Sequence, residues 1–277
     1  MVMQSLEILA FALLAGIVGS ILGLGGGLVM TPALTLLLGI DIRYAIGASL
    51  ISVIATSSGS AVAYLRDRIT NVRVGMFLEV GTTLGAILGA TLGGIIPGRA
   101  LLMLFGGFLL YSCYLMVRNS RHDKNAPSNP HPWATKLRMH GQFFDKAQGK
   151  TVEYQVEKVT EPFGVMIGAG VLSGLLGIGG GAFKVMAMDV FMRLPLKVSS
   201  ATSNFMMGAT ATASAGIYLM RGNIDPLIAG PVALGVLGGS TIGARIMPHL
   251  KNKTLRLMFI PVLIYVSVMM IRKGVAG

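Results

Sequence analysis

Two glycine-rich stretches decide the predicted fold of this chain. The first, GSILGLGGGLVMTP, runs from Gly19 to Pro32, and the second, SGLLGIGGGAFKVM, runs from Ser173 to Met186. Each places three consecutive glycines inside a long apolar run. Glycine is about 1 kcal/mol less favourable than alanine in a helix, so we expect a helix to break at each triplet.

The surrounding composition is typical of a membrane protein. Of the 277 residues, 53% are hydrophobic and 12% are charged, whereas soluble domains carry about 25% charged residues. The apolar residues form blocks of about 20, the length that crosses roughly 30 Å of hydrocarbon; clear blocks are 46–65, 74–96 and 101–117. The first apolar segment lacks a basic n-region, so we expect it to be retained rather than cleaved as a signal peptide. We predict a multi-pass protein of a bacterial-type inner membrane.

Charge and cysteine content exclude several other classes. The net charge is +12, but the basic residues lie in short loops beside apolar blocks, where they set orientation and contact anionic lipid. The lipid bilayer is therefore the expected partner, and nucleic acid is not. The single cysteine, Cys113, and four loop histidines predict no metal site. Neither GxSxG nor the ATP-binding motif GxxxxGK[ST] occurs, so we expect no enzyme, catalytic residue or cofactor. A homo-oligomer is left open.

Aligning the two glycine triplets also aligns much of the two halves. The matches continue in the same order, Gly47–Ser49 with Ala201–Ser203, Ser60–Leu65 with Ser214–Leu219, and Gly89–Gly93 with Gly239–Gly243. Short matches in Gly- and Ala-rich sequence are weak singly, but their shared order indicates a duplication. The predicted organisation is a first transmembrane repeat over residues 1–117, a hydrophilic insert over 118–161 and a second transmembrane repeat over 162–277.

Loop charges predict that the second repeat is inverted. The loop 66–73 carries three basic residues and one acidic residue, whereas its counterpart 221–225 is balanced. The loop 245–256 carries four Lys and Arg residues, whereas its counterpart around Arg99 carries one. Because positive loops stay in the cytoplasm, corresponding loops are expected on opposite sides. We therefore predict an all-α polytopic membrane protein with two inverted repeats, each with three full transmembrane helices plus a Gly-broken pair of shorter helices, giving 8–10 membrane segments.

The insert between the repeats is the one long hydrophilic stretch. Within it, GQFFDKAQGKTVEYQVEKV alternates apolar and polar residues around AQGK, which predicts a small β-hairpin. Its charges place the insert in the cytoplasm. A tether between the halves and a regulatory or partner-binding role both stay open.

The glycine breaks predict an anion site. Broken backbone is tolerated in a bilayer only where protein buries it or where it lines a wet cavity, and paired breaks in inverted repeats indicate a transporter's binding site. The first N–H groups of the half-helices after the breaks carry partial positive charge, which glycine leaves accessible. Lys184 adds a cation where the first repeat has Met30. The predicted substrate-binding glycines are Gly25, Gly26, Gly27, Gly179, Gly180 and Gly181.

Two alternatives stay open for these residues. The glycines could form a close-packing contact between helices, and Lys184 could extend to a lipid headgroup. A small anionic substrate is nevertheless the partner that the repeated break and Lys184 favour.

Other polar residues inside the apolar blocks extend the predicted site. Ser49 and Ser203 occupy equivalent positions, and their hydroxyls could bind an anion or only join helices. Asn204 offers an amide with two donors. Glu79 and Asp189 are the candidates for ion coupling, because ionisable residues inside membrane spans are usually functional. An ion pair between Glu79 and the basic loop that ends at Arg73 is an alternative.

The motif GxxGGG…P near the N-terminus, its recurrence at mid-chain and the hydrophilic insert resemble the TauE/SafE family of sulfite and sulfonate exporters. The resemblance covers nearly all of the chain except 118–161. Pro32 has no counterpart in the second repeat, where Met186 stands, so we expect an asymmetric site.

The resemblance implies transport of a small sulfur-containing anion such as sulfite, a sulfonate such as sulfoacetate, or thiosulfate. Together with the breaks, it predicts a secondary transporter that works by alternating access and is coupled to an ion. An anion channel of the same fold, and a transporter of a different small solute with Glu79 and Asp189 as ligands, are the alternatives. The sequence leaves the direction of transport open.

Overall fold

The computed structural model describes residues 2–119 and 131–276, which are mostly helical. The first half of the chain contains α1 (Val2–Leu22), α2 (Gly27–Pro32), α3 (Ile42–Arg66), α4 (Val72–Gly93) and α5 (Gly98–Asn119). The middle contains α6 (Pro132–Lys136), β1 (Gly141–Asp145) and β2 (Lys150–Tyr154). The second half contains α7 (Thr160–Leu176), α8 (Gly181–Met186), α9 (Leu196–Met220), α10 (Pro226–Ile246) and α11 (Asn252–Ala276).

Several of these helices have the length and apolar character of membrane spans. Three described segments are both long and apolar enough to cross a bilayer, namely Ile42–Arg66, Val72–Gly93 and Pro226–His249. Shorter apolar helices cover Leu6–Leu22, Gly27–Leu37, Gly98–Tyr111 and Thr160–Leu176. The predicted helical membrane class is therefore confirmed, whereas the count of 8–10 segments and the inverted repeats stay predictions.

Both predicted helix breaks are confirmed. The helix α1 ends at Leu22 and α2 begins at Gly27, while α7 ends at Leu176 and α8 begins at Gly181. Five glycines in the two breaks have φ between 67° and 73°, a region that other residues rarely adopt; they are Gly23, Gly25, Gly177, Gly179 and Gly180. Both short helices then continue as single π-helical segments, Ala33–Leu37 and Ala187–Phe191.

Stripes of glycine join the two halves closely. On α4, Gly85 and Gly89 face the α7 backbone, and a Cβ added at Gly89 would lie 1.9 Å from the carbonyl oxygen of Val171. On α10, Gly239 faces α1 in the same way, with its Cβ position 2.0 Å from the carbonyl oxygen of Leu13. Small residues at such positions let helix backbones approach within membranes. The first helix of each half therefore packs against a glycine-rich helix of the other half: α7 against α4, and α1 against α10.

The predicted β-hairpin is confirmed. The strands β1 and β2 pair antiparallel, with Gly141 opposite Tyr154 and Asp145 opposite Lys150. Tyr154 Oη accepts a hydrogen bond from Asn71 Nδ2 at 3.0 Å. Burial raises the pKa of the Tyr154 phenol, and this hydrogen bond acts in the opposite direction. Residues 120–130 of the predicted insert lie outside the described part of the chain.

The described part of the insert docks on one end of the helix bundle. Its contacts reach the loop after α3 and the start of α9, both of which carry basic residues. The polar contacts and their distances are Lys146 Nζ–Asp67 Oδ2 (2.6 Å), Arg193 Nη1–Glu157 Oε1 (2.9 Å), Lys197 Nζ–Asp145 Oδ1 (2.7 Å), Asn71 Nδ2–Met139 O (2.7 Å) and Arg73 Nη1–Arg138 O (2.8 Å). The insert is thus a packed cap at this end.

Candidate functional site

The two helix breaks meet at the centre of the bundle. Two serines at aligned positions, Ser49 on α3 and Ser203 on α9, connect the breaks. Each hydroxyl is shared between two backbone carbonyls, one at the break of the first half and one at the break of the second half. The donor–acceptor pairs are Ser49 to Gly27 (3.0 Å) and to Gly177 (2.8 Å), and Ser203 to Gly23 (2.8 Å) and to Gly181 (3.3 Å). Both hydroxyl protons are therefore directed at backbone carbonyls, and in this conformation the serines hold the breaks together.

The glycines of the triplets are closely packed in the structure. A Cβ at Gly26 would lie 2.3 Å from Ser52 Oγ, and one at Gly179 would lie 2.4 Å from Val53 Cγ1. Gly25, Gly27 and Gly181 are similarly confined, with the nearest atoms 2.9, 2.6 and 2.6 Å from their Cβ positions, and Gly180 less so at 3.2 Å. The close-packing alternative thus describes the contacts of these glycines in this conformation.

Lys184 lies on α8, one turn after the second break, and its side chain is fully buried. Its ammonium Nζ lies 3.0 Å from Glu79 Oε2, and it donates to Thr210 Oγ1 at 2.5 Å. The Thr210 hydroxyl in turn donates to Glu79 Oε1 at 2.5 Å. We call Lys184, Glu79 and Thr210 the charged triad. Since α4 supplies Glu79 while α8 and α9 supply the other two, the triad joins the two halves.

Glu79 is surrounded by donors. Its carboxylate also accepts from Thr83 Oγ1 at 2.9 Å and from Thr82 Oγ1 at 3.3 Å, and 13% of its side chain is exposed. The Glu79 carboxylate pairs with Lys184 in this structure, whereas Arg73 Nη1 donates to the Arg138 carbonyl. The alternative in which Lys184 extends to a headgroup is excluded by its complete burial.

The remaining candidates occupy buried positions around the breaks. Asn204 Nδ2 donates to the Ser20 carbonyl at 2.7 Å, so the amide fixes the end of α1. Its Oδ1, and the hydroxyls of Ser52 and Ser173, are buried with no hydrogen-bond partner among the described residues. Asp189 lies in the π-helical segment after α8 and is 3% exposed. Leaving a buried polar group unpaired costs about 1–3 kcal/mol, so the unpaired atoms of Asn204, Ser52 and Ser173 are destabilising in this conformation.

Sequence reasoning did not single out Thr210, Thr82 or Thr83 as partners of the ionisable residues. The signals were present: Thr82 and Thr83 follow Glu79 by three and four residues, the spacing of neighbours on a helix face. Thr210 follows Ser203 by seven residues, which places both on one side of α9. In the described ranges 2–119 and 131–276, no three His, Cys, Asp or Glu side chains come together as a metal site.

Comparison with known proteins identifies the family. The model of the family "Sulfite exporter TauE/SafE" matches residues 8–270. The chain is 29% identical to the probable membrane transporter protein YunE of Bacillus subtilis, over 99% of both chains. It is 26% identical to YdhB of the same organism, over 87% of this chain and 91% of that protein, and 29% identical to a probable membrane transporter protein of Xylella fastidiosa, over 91% of both. No solved structure is significantly similar. The chain therefore belongs to the TauE/SafE family of membrane transporters.

Proposed function

We propose that this protein is a secondary transporter of a small sulfur-containing anion, such as sulfite, a sulfonate or thiosulfate, across the inner membrane. The observation that carries the proposal is the burial of Lys184 immediately after a helix break, where its one described carboxylate partner belongs to the other half of the chain. A buried cation whose partner comes from a different structural unit is suited to exchange that partner for a substrate. Membership of the TauE/SafE family supports a transporter.

The charged triad suggests how an anion and a proton are coupled. A substrate anion that reaches Lys184 competes with the Glu79 carboxylate for the same ammonium. Protonation of Glu79 removes that competitor, and the neutral carboxyl group can then donate a hydrogen bond to a bound oxyanion. Thr210, which contacts both charges, is positioned to accept from Lys184 in either state. Anion binding is thus expected to require one proton on Glu79.

Alternating access follows from the proposed inverted repeats. In such transporters, one unit rocks against the other around a site at the midplane. Ser49 and Ser203 join the two breaks through backbone carbonyls, and the triad joins the halves through charge. Both connections are made between the two halves, so a rocking motion has to change or keep these contacts. Asp189, four residues before Arg193, is the second candidate for ion coupling.

Transport by the purified protein in liposomes tests the proposal. Liposomes are assayed for uptake of sulfite, sulfoacetate and thiosulfate, with acetate and Rb⁺ as controls, at pH 6 and pH 8. We expect uptake of at least one sulfur anion, faster at pH 6, and stimulation by the same unlabelled anion inside. Uptake without such counterflow, at rates far above those of carriers, would indicate a channel. Uptake of Rb⁺ or acetate alone would refute a sulfur-anion transporter.

A further inference from the structure

A polar pocket opens at the end of the bundle opposite the insert. Its volume is about 260 Å³, and it lies among the start of α3, the end of α4 and the end of α9. The insert contacts Asp67, just beyond the other end of α3. Since α3 has 25 residues, the two ends are about 36 Å apart at 1.5 Å per residue. The lining includes Arg43, Arg221, Tyr218, Asn223 and Ile46.

The pocket carries positive charge and no lining carboxylate. The Arg221 guanidinium donates to the carbonyls of Ala90 and Thr91 at 2.6 and 2.8 Å, so it is fixed in place while it keeps its charge. Asp41 and Asp225 lie on the adjoining loops, but their carboxylates accept from the first turns of α3 and α10. The exposed Arg43 guanidinium can bind an oxyanion through two parallel N–H donors.

The floor of this pocket touches the second helix break. Tyr218 Oη donates to the carbonyls of Gly174 and Leu175, at the end of α7, at 3.2 and 3.1 Å. Ile46, another lining residue, lies against Gly177, whose Cβ position would be 2.6 Å from Ile46 Cγ2. The pocket is therefore separated from the break by a single layer of side chains.

The opposite end of the bundle supplies an independent observation. Arg43 is the second residue of α3, and Lys197 is the second residue of α9, the equivalent helix of the second half. Lys197 Nζ lies 2.7 Å from Asp145 Oδ1 and donates to the Pro248 carbonyl at 2.9 Å. Both charged side chains are almost fully buried, at 1% and 0% exposure. The equivalent of Arg43 thus already holds an anionic group, supplied by the insert.

We propose that the Arg43 pocket is an anion-binding vestibule in which the substrate first binds on its way to Lys184. The proposal rests on the proposed function and adds a second binding site to it. At the other end of the bundle, Asp145 occupies the corresponding position and closes it, so the two ends differ in access. The vestibule takes a small oxyanion with at least two oxygens free for the Arg43 fork.

The test measures liposome uptake of whichever ³⁵S-labelled anion wild type takes up fastest, out of sulfite, sulfoacetate and thiosulfate. The proteins compared are wild type, Lys184→Met, Arg43→Gln, Arg43→Lys and Arg99→Gln. Arg99 is an exposed residue at the start of α5, where neighbouring Gly98 lies against Ile42 of α3, and it does not line the pocket. We expect Arg43→Gln to raise KM about tenfold with kcat changed less than twofold. Arg43→Lys should restore part of the affinity, and Arg99→Gln should resemble wild type.

The outcomes separate this inference from the proposed function. If wild type transports one of these anions and Lys184→Met abolishes transport, but Arg43→Gln keeps the wild-type KM, the vestibule is wrong and the central site stands. An equal rise of KM in Arg99→Gln would also overturn it, because general surface charge would then explain the effect. If wild type transports none of sulfite, sulfoacetate and thiosulfate, the proposed function fails and the vestibule fails with it.

Discussion

The pairing of Lys184 with Glu79 predicts that single substitutions destabilise the protein far more than the double substitution does. In Glu79→Gln, the ammonium of Lys184 stays fully buried with only neutral acceptors. In Lys184→Met, the carboxylate of Glu79 keeps the three hydroxyl donors from Thr210, Thr82 and Thr83 and some exposure to solvent. The first substitution is therefore expected to be the more harmful.

The magnitudes follow from these contacts. Removing one partner of a buried ion pair costs about 3–5 kcal/mol, which we expect for Glu79→Gln. For Lys184→Met we expect about 1–3 kcal/mol, the cost of a buried polar group that loses one partner. In the double variant neither charge remains, and replacing a buried pair by neutral groups is often neutral. We expect it to lie within about 1 kcal/mol of wild type, which implies a coupling energy of at least about 3 kcal/mol between the two sites.

The thermal stability of the detergent-purified wild type, the two single variants and the double variant measures this double-mutant cycle. The midpoint for loss of monodisperse protein should fall by about 10 °C in Glu79→Gln, since a larger domain loses about 2–4 °C per kcal/mol. It should fall less in Lys184→Met and recover in the double variant. A double variant as unstable as the sum of the two single variants would refute the reasoning, because the two charges would then act independently.

Two further substitutions test the helix breaks and the insert. Gly23→Ala should abolish the folded protein, because Gly23 has φ +71° and its Cβ position lies 2.6 Å from the α9 backbone; Gly216→Ala, where nothing lies within 4 Å, should leave yield and size-exclusion profile unchanged. Asp145→Ala should leave Lys197 buried without its carboxylate, at a cost of about 3–5 kcal/mol, and should speed tryptic cleavage of the insert at least tenfold. Glu161→Ala, which breaks an exposed pair, should change the cleavage rate less than twofold. If Asp145→Ala and Glu161→Ala changed the rate equally, the Asp145–Lys197 pair would not be what holds the insert against the helix bundle.

The helix breaks and the hairpin were predictable because each depends on local sequence. Three consecutive glycines disfavour a helix wherever they occur, and alternation around AQGK specifies a two-stranded ribbon without reference to the rest of the chain. The sequence also indicates that Lys184 lies within the membrane region, because the apolar residues around it extend over a full span. These features depend on short-range preferences that the fold does not override.

The partners of the charged residues were not predictable in the same way. Glu79 and Lys184 are 105 residues apart, and the face of α4 that carries Glu79 is oriented by the glycine stripe that packs α4 against α7. The same holds for Ser49 and Ser203, where helical spacing identifies the buried face but not the carbonyl that each hydroxyl meets. Asp145 gave no signal in the hairpin pattern, because its buried partner Lys197 belongs to a different helix.

The most direct test of the central claim compares anion uptake by wild type, Lys184→Met and Lys184→Arg in matched liposomes. Methionine is the residue that the first repeat has at this position, Met30, so the substitution preserves an apolar packing that the chain already uses. With the sulfur anion that wild type takes up fastest, we predict that Lys184→Met lowers uptake at least 100-fold, while Lys184→Arg retains measurable uptake. Wild-type uptake by a folded Lys184→Met variant would contradict the assignment of Lys184 as the cation that binds the anion.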